Sequence, residues 1–97
     1  MYHQTVIKRS DGSQVMITTS ILVDYSRNVS WETQVHFRSK RQRNWTSVFS
    51  TDDYEWRKLP TKEAKAEYVH AQKLLFCTEE ELYQAKLELW EQIKPCL

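Results

Sequence analysis

The chain has 97 residues, 14 Lys and Arg against 13 Asp and Glu, and a net charge of +1. A length of this order bounds one domain with a single core, and the near-zero charge supplies no global field to draw the protein onto nucleic acid or an anionic membrane. Forty per cent hydrophobic and 12% aromatic residues, four of them Trp, exceed what a disordered chain carries.

Other classes fall away on local grounds. No run of about 20 apolar residues occurs, so neither a transmembrane helix nor a membrane partner is expected. The start, Met1-Tyr2-His3-Gln4, lacks a basic stretch followed by an apolar one, and two cysteines make no disulfide framework; the expected location is the reducing cytoplasm. The Asn28-Val29-Ser30 and Asn44-Trp45-Thr46 triplets match the glycosylation sequon, but without a secretory leader they read as coincidence. Gly12 is the sole glycine, where about seven would be ordinary. Phosphate cradles need glycines where backbone amides approach the ligand, so a P-loop or dinucleotide fingerprint cannot be written.

Residues 2–9 read as a strand. Asp11-Gly12 follows as a hairpin signal, because glycine supplies a positive φ without steric cost. The second strand covers about 14–25, with Val15, Ile17, Thr19, Ile21 and Val23 on one face. Met16 and Leu22 fall on the other face, which predicts a central strand or one covered on both sides. Ser26-Arg27-Asn28 is a turn. The third strand, about 29–39, alternates Trp31, Thr33, Val35 and Phe37 with Glu32, Gln34, His36 and Arg38, the pattern of a sheet with one wet face. A basic loop leads to a short fourth strand at about 45–50. Thr51, Asp52 and Asp53 suit the cap of a single helical turn, after which Trp56 and Leu59 fold back on the core.

Pro60 ends the β region, since the residue before a proline is pushed out of the α region. Thr61 caps a helix to about Phe76, with Ala64, Tyr68, Ala71 and Leu75 as its predicted inward face. Thr78-Glu79-Glu80-Glu81 is a capping box, with Cys77 and Leu82 at the staple positions. The second helix covers about 79–94, with Leu82, Ala85, Leu89 and Ile93 inward and Trp90 beside them, and Pro95 stops it. The expected fold is therefore α+β: a three- or four-stranded antiparallel meander followed by two C-terminal helices packed on one face. Residues 1–60 carry nine Lys and Arg against six Asp and Glu, whereas 61–97 carry five against seven.

The sharpest surface feature is the loop holding Arg38, Lys40, Arg41, Arg43 and Trp45. Such residues suit an acidic protein surface, with the ring as an interface anchor. They also suit nucleic acid, with the charges on phosphates and the ring on bases. The plain alternative is a solvated hairpin tip that guards an edge strand. The three histidines, His3, His36 and His70, show no metal-ligand spacing with one another or with a cysteine, and no metal or cofactor is expected. Cys77, just before a helix cap, reads as a buried staple residue rather than an activated thiol, and Cys96 as exposed. The acidic runs 52–55 and 79–81 are explained by capping and the helix dipole, so no catalytic residue is assigned. Exposed apolar positions at Tyr83, Leu87 and Leu97 suggest a homodimer. The preferred reading is a non-enzymatic binding or regulatory module acting through protein contacts. The alternatives are a weak nucleic-acid binder using residues 37–45, and a small enzyme whose site is invisible to spacing.

Overall fold

The computed structural model describes residues 2–23 and 25–96, at Cys96 the backbone alone. Four antiparallel strands, β1 (Tyr2–Lys8), β2 (Gln14–Val23), β3 (Val29–Arg38) and β4 (Thr46–Ser47), lie in the order of the sequence. A single helical turn, α1 (Tyr54–Arg57), leads to α2 (Lys62–Lys73) and α3 (Glu79–Ile93), and a 3-10 turn covers Lys94–Cys96. The β1–β2 hairpin closes on Gly12 at φ +90, with the Arg9 N–H donating to the Ser13 carbonyl at 2.9 Å. The β2–β3 turn places Arg27 at φ 62, a left-handed conformation that favours glycine.

The core lies between the helix-facing side of the sheet and α3. Val15, Ile17 and Val35 from the sheet meet Cys77, Leu82 and Ala85, all buried. The α3 stripe Leu82, Ala85, Leu89 and Ile93 is buried as its spacing predicts. Phe37 stacks on Phe76 with ring centroids 4.3 Å apart, which pins the α2–α3 corner to β3. The three cap expectations hold. Asp53 accepts from the Trp56 amide at 3.2 Å and Thr61 from the Ala64 amide at 3.0 Å. Thr78 and Glu81 close the capping box reciprocally at 3.1 and 3.0 Å.

Two expectations are corrected. The fourth strand, expected over 45–50, pairs only at Thr46 and Ser47, because the chain turns away after Val48. The first helix ends at Lys73 rather than Phe76. The Leu75 and Phe76 amides bond three residues back, to Gln72 and Lys73, and this tighter winding swings Phe76 and Cys77 into the core. It also leaves Leu75 72% exposed, so the predicted stripe Ala64, Tyr68, Ala71 and Leu75 does not face inward as a set. Ala64 and Tyr68 are half-buried as predicted, but Ala71 is exposed, and α2 rests also on half-buried Lys65, Val69, Gln72 and Lys73 and buries no residue fully. The expectation for β2 holds in its first form: the strand is central, paired with β1 on one side and β3 on the other, and Leu22 on its second face is 53% exposed. Positions 24 and 97 lie outside the described residues, as does the side chain of Cys96.

Two buried polar atoms lack a hydrogen-bond partner among the described residues, the Thr19 hydroxyl oxygen and His36 Nδ1. Thr19 is fully buried on the helix-facing side of β2, and its hydroxyl meets no hydrogen-bond partner among the described residues. A buried hydroxyl without a partner costs about 1–3 kcal/mol. Thr19→Val keeps the branch and removes the oxygen, so it is expected to stabilise the fold by about 1 kcal/mol, read as a higher urea midpoint.

Candidate functional site

The basic loop between β3 and β4 is ordered by its own polar groups. Gln42 closes a turn on Ser39, its amide donating to the Ser39 carbonyl at 3.1 Å and its side-chain oxygen accepting from the Ser39 amide at 2.8 Å. Arg38 is anchored rather than free. Its Nε donates to Gln14 Oε1 at 2.8 Å, a terminal nitrogen donates to the Arg43 carbonyl at 3.1 Å, and the guanidinium lies 4.5 Å over the Trp45 ring. A planar cation on an indole face is a favourable electrostatic pairing. Arg38 and Trp45 therefore make a half-buried platform, and Lys40, Arg41 and Arg43 stand exposed upon it.

The β1–β2 turn supports the same end of the sheet. Gly12 sits against the Lys40 side chain, and a Cβ at that position would come within 2.8 Å of Lys40 Cδ. Strand register aligns Lys8, Gln14 and Arg38 in one cross-strand row. Lys8 thus joins the basic end, a neighbour that only register reveals. The nearby carboxylate, Asp11, accepts from both the hydroxyl and the amide of Ser13, which holds it below its ordinary pKa. Among the described residues no ion pair engages Lys40, Arg41 or Arg43. The five expected site residues are brought together at one end of the sheet, with two as scaffold and three projecting.

The other constellations serve the scaffold. His3 bonds Glu88 at 3.0 Å and Gln92 at 2.9 Å, tying β1 to α3, while His70 pairs with Glu79. His36 lies on the open face across from Met16 and Ser47. The described residues bring no three of His, Cys, Asp and Glu together as metal ligands. Cys77 is buried, and its thiol donates to the Lys73 carbonyl at 3.2 Å. Burial, with the Glu81 charge second, pushes its pKa up, opposite to the shift an activated thiol needs. Asp53 accepts from the Tyr68 hydroxyl at 2.8 Å, so this carboxylate joins α1 to α2. Tyr83 is 62% exposed and Leu87 is half-buried.

A further basic feature carries no mark in the sequence. Lys62, Lys65, Lys73 and Lys86 line one cleft beside β3, with Trp31 and Trp56. No helix among the described residues is long and apolar enough to cross a membrane. No protein-family model, curated protein or solved structure matches this chain.

Proposed function

We propose that this chain is a small non-enzymatic binding module, working in the cytoplasm, that holds an acidic protein partner on the 38–45 loop. The observation that carries this reading is the Arg38 clamp. Gln14, the Arg43 carbonyl and the Trp45 ring hold Arg38 in place, and Lys40, Arg41 and Arg43 project from the ordered turn with no ion pair among the described residues. An ordered turn spares binding the cost of fixing the backbone that carries these cations, which favours affinity. The nucleic-acid alternative needs an open aromatic face for base stacking. One face of Trp45 is already occupied by the Arg38 guanidinium.

The test is a fluorescence-anisotropy titration with hexaglutamate at rising salt, comparing the parent chain with Arg41→Glu/Arg43→Glu. Both positions are exposed and belong to no ion pair among the described residues, so the variant is expected to fold. Reversing the two charges is expected to weaken binding about tenfold or more, at roughly 0.5–1 kcal/mol for each attraction removed and again for each repulsion introduced. Equal affinity of parent and variant overturns the reading. So does tighter binding of oligothymidylate that Trp45→Ala abolishes, the result expected of a stacking platform.

A further inference from the structure

Strand β3 extends beyond its neighbour on one side. β4 pairs with it only at His36 and Phe37, after which the Val48 N–H donates to the Val35 carbonyl at 3.0 Å. In an antiparallel ladder the N–H and C=O of one residue point to the same side, and the side alternates along the strand. Val35 therefore identifies the residues whose peptide groups face this edge: Val29, Trp31 and Thr33. Among the described residues no strand pairs with them there. The intervening Ser30, Glu32 and Gln34 direct theirs toward β2.

This open edge borders a built cleft. A cavity of about 410 Å³ lies between residues 32–35 of β3, the segment after β4, and Val69 and Lys73 of α2. Adjoining it across Lys73 is a shallower cleft of about 650 Å³ that holds Trp31, Trp56 and four lysines, with Glu32 as its one carboxylate. Lys73 donates to the Thr33 hydroxyl at 3.0 Å, and Lys65 lies 5.0 Å over the Trp56 ring. His70, also on the rim, pairs with Glu79. Four of the five lysines of residues 61–97 are gathered here, although that half of the chain is net acidic.

An exposed strand edge is a template for an added strand, with main-chain bonds for affinity and alternate side chains for specificity. We infer that the free edge of β3 over Val29–Gln34 accepts an extended acidic segment of a partner protein as a fifth strand, its alternate carboxylates lying among Lys62, Lys65, Lys73 and Lys86. Six residues of strand span about 20 Å. The charge excludes a second copy as the occupant, because its β3 would bring the same lysines to face these; lysines beside an edge keep like edges apart. A phosphodiester backbone answers the lysines but has no donor for the Trp31 and Thr33 carbonyls. The site is separate from the 38–45 loop, and it stands if that loop binds nothing.

The test is residue-resolved amide hydrogen exchange on the full chain, with a nine-residue peptide of alternating Glu and Val as probe. Saturating peptide is expected to slow exchange at Trp31 and Thr33 at least tenfold while leaving Glu32 and Gln34, already directed to β2, nearly unchanged. Lys62→Glu/Lys65→Glu is expected to weaken the peptide at least tenfold, and Arg41→Glu/Arg43→Glu to leave it unaffected. N-methylation of the peptide amides that face β3 is expected to abolish the protection, since it removes the main-chain donors to the Trp31 and Thr33 carbonyls and sets a methyl group in the plane of the ladder. The inference is overturned if exchange at Trp31 and Thr33 does not move, or if a Lys-Val peptide protects equally. It is overturned in favour of nucleic acid if oligothymidylate displaces the peptide at equal concentration. It is overturned in favour of self-pairing if protection rises with protein concentration and no peptide.

Discussion

Leu89→Ala is expected to lower the stability of this protein by about 3 kcal/mol, and its melting temperature by about 15 °C at the usual scaling for a domain of this size. Leu89 is fully buried at the centre of the α3 stripe, between Ala85 and Ile93. Truncation removes the transfer free energy of three carbons and leaves a cavity beneath a helix that packs on both β1 and β2. The matched control is Leu75→Ala. Leu75 is 72% exposed in the α2–α3 turn, and its truncation is expected to cost under about 0.5 kcal/mol. Urea unfolding of the two variants checks the pair. Equal losses at Leu89 and Leu75 would contradict both the packing of α3 and the early end of α2.

The second large effect belongs to Arg9. It donates to both Glu81 oxygens, at 2.8 and 2.9 Å, and to the Phe76 carbonyl at 2.8 Å. One side chain thus ties the end of β1 to the helix corner and to the capping box of α3. Bidentate charge-assisted bonds are among the stronger ones, but these side chains are 33% and 23% exposed and solvent screens them. Arg9→Ala is therefore expected to cost about 1–2 kcal/mol at neutral pH. The guanidinium holds the Glu81 carboxyl below its ordinary 4.5. A carboxyl depressed in the folded state stabilises fully above its unfolded value and loses that contribution as the pH falls through its folded one. Asp53, depressed below 3.8 by the Tyr68 hydroxyl, acts in the same direction. Urea midpoints of the parent are expected to fall as the pH drops below about 4.5, and the gap between parent and Arg9→Ala to narrow over the same range. A gap that stays constant down to about pH 2 would contradict this role for the pair.

Much of the fold is legible in the sequence because its local signals agree with one another. Alternation from Trp31 to Phe37 separates the two faces of β3, Asp11-Gly12 places the first hairpin, and Thr78 with Glu81 writes the start of α3. The inward face of α2 is not legible. The helix buries no residue fully, and Lys73 and Gln72 occupy positions that an apolar stripe would assign to Ala71 and Leu75. Propensity and periodicity describe a helix packed on a core, whereas α2 rests on the rim of one.

The candidate sites divide in the same way. The loop is legible because its charges are contiguous, though the sequence does not show that Arg38 lies over Trp45 and so belongs to the platform. The lysine cleft is not legible. Lys62 and Lys86 are 24 positions apart on different helices, and the local composition around them is acidic. The free edge of β3 is hidden too, because it depends on β4 ending after two residues.

The most direct measurement of binding at the loop is a chemical-shift map of the full chain on titration with hexaglutamate, repeated at high salt. Specific, saturable shifts at Lys40, Arg41 and Arg43, with smaller ones at Lys8 and the anchored Arg38, reduced by salt and lost in Arg41→Glu/Arg43→Glu, are the predicted result. A map with no shifts between residues 38 and 45 would contradict it.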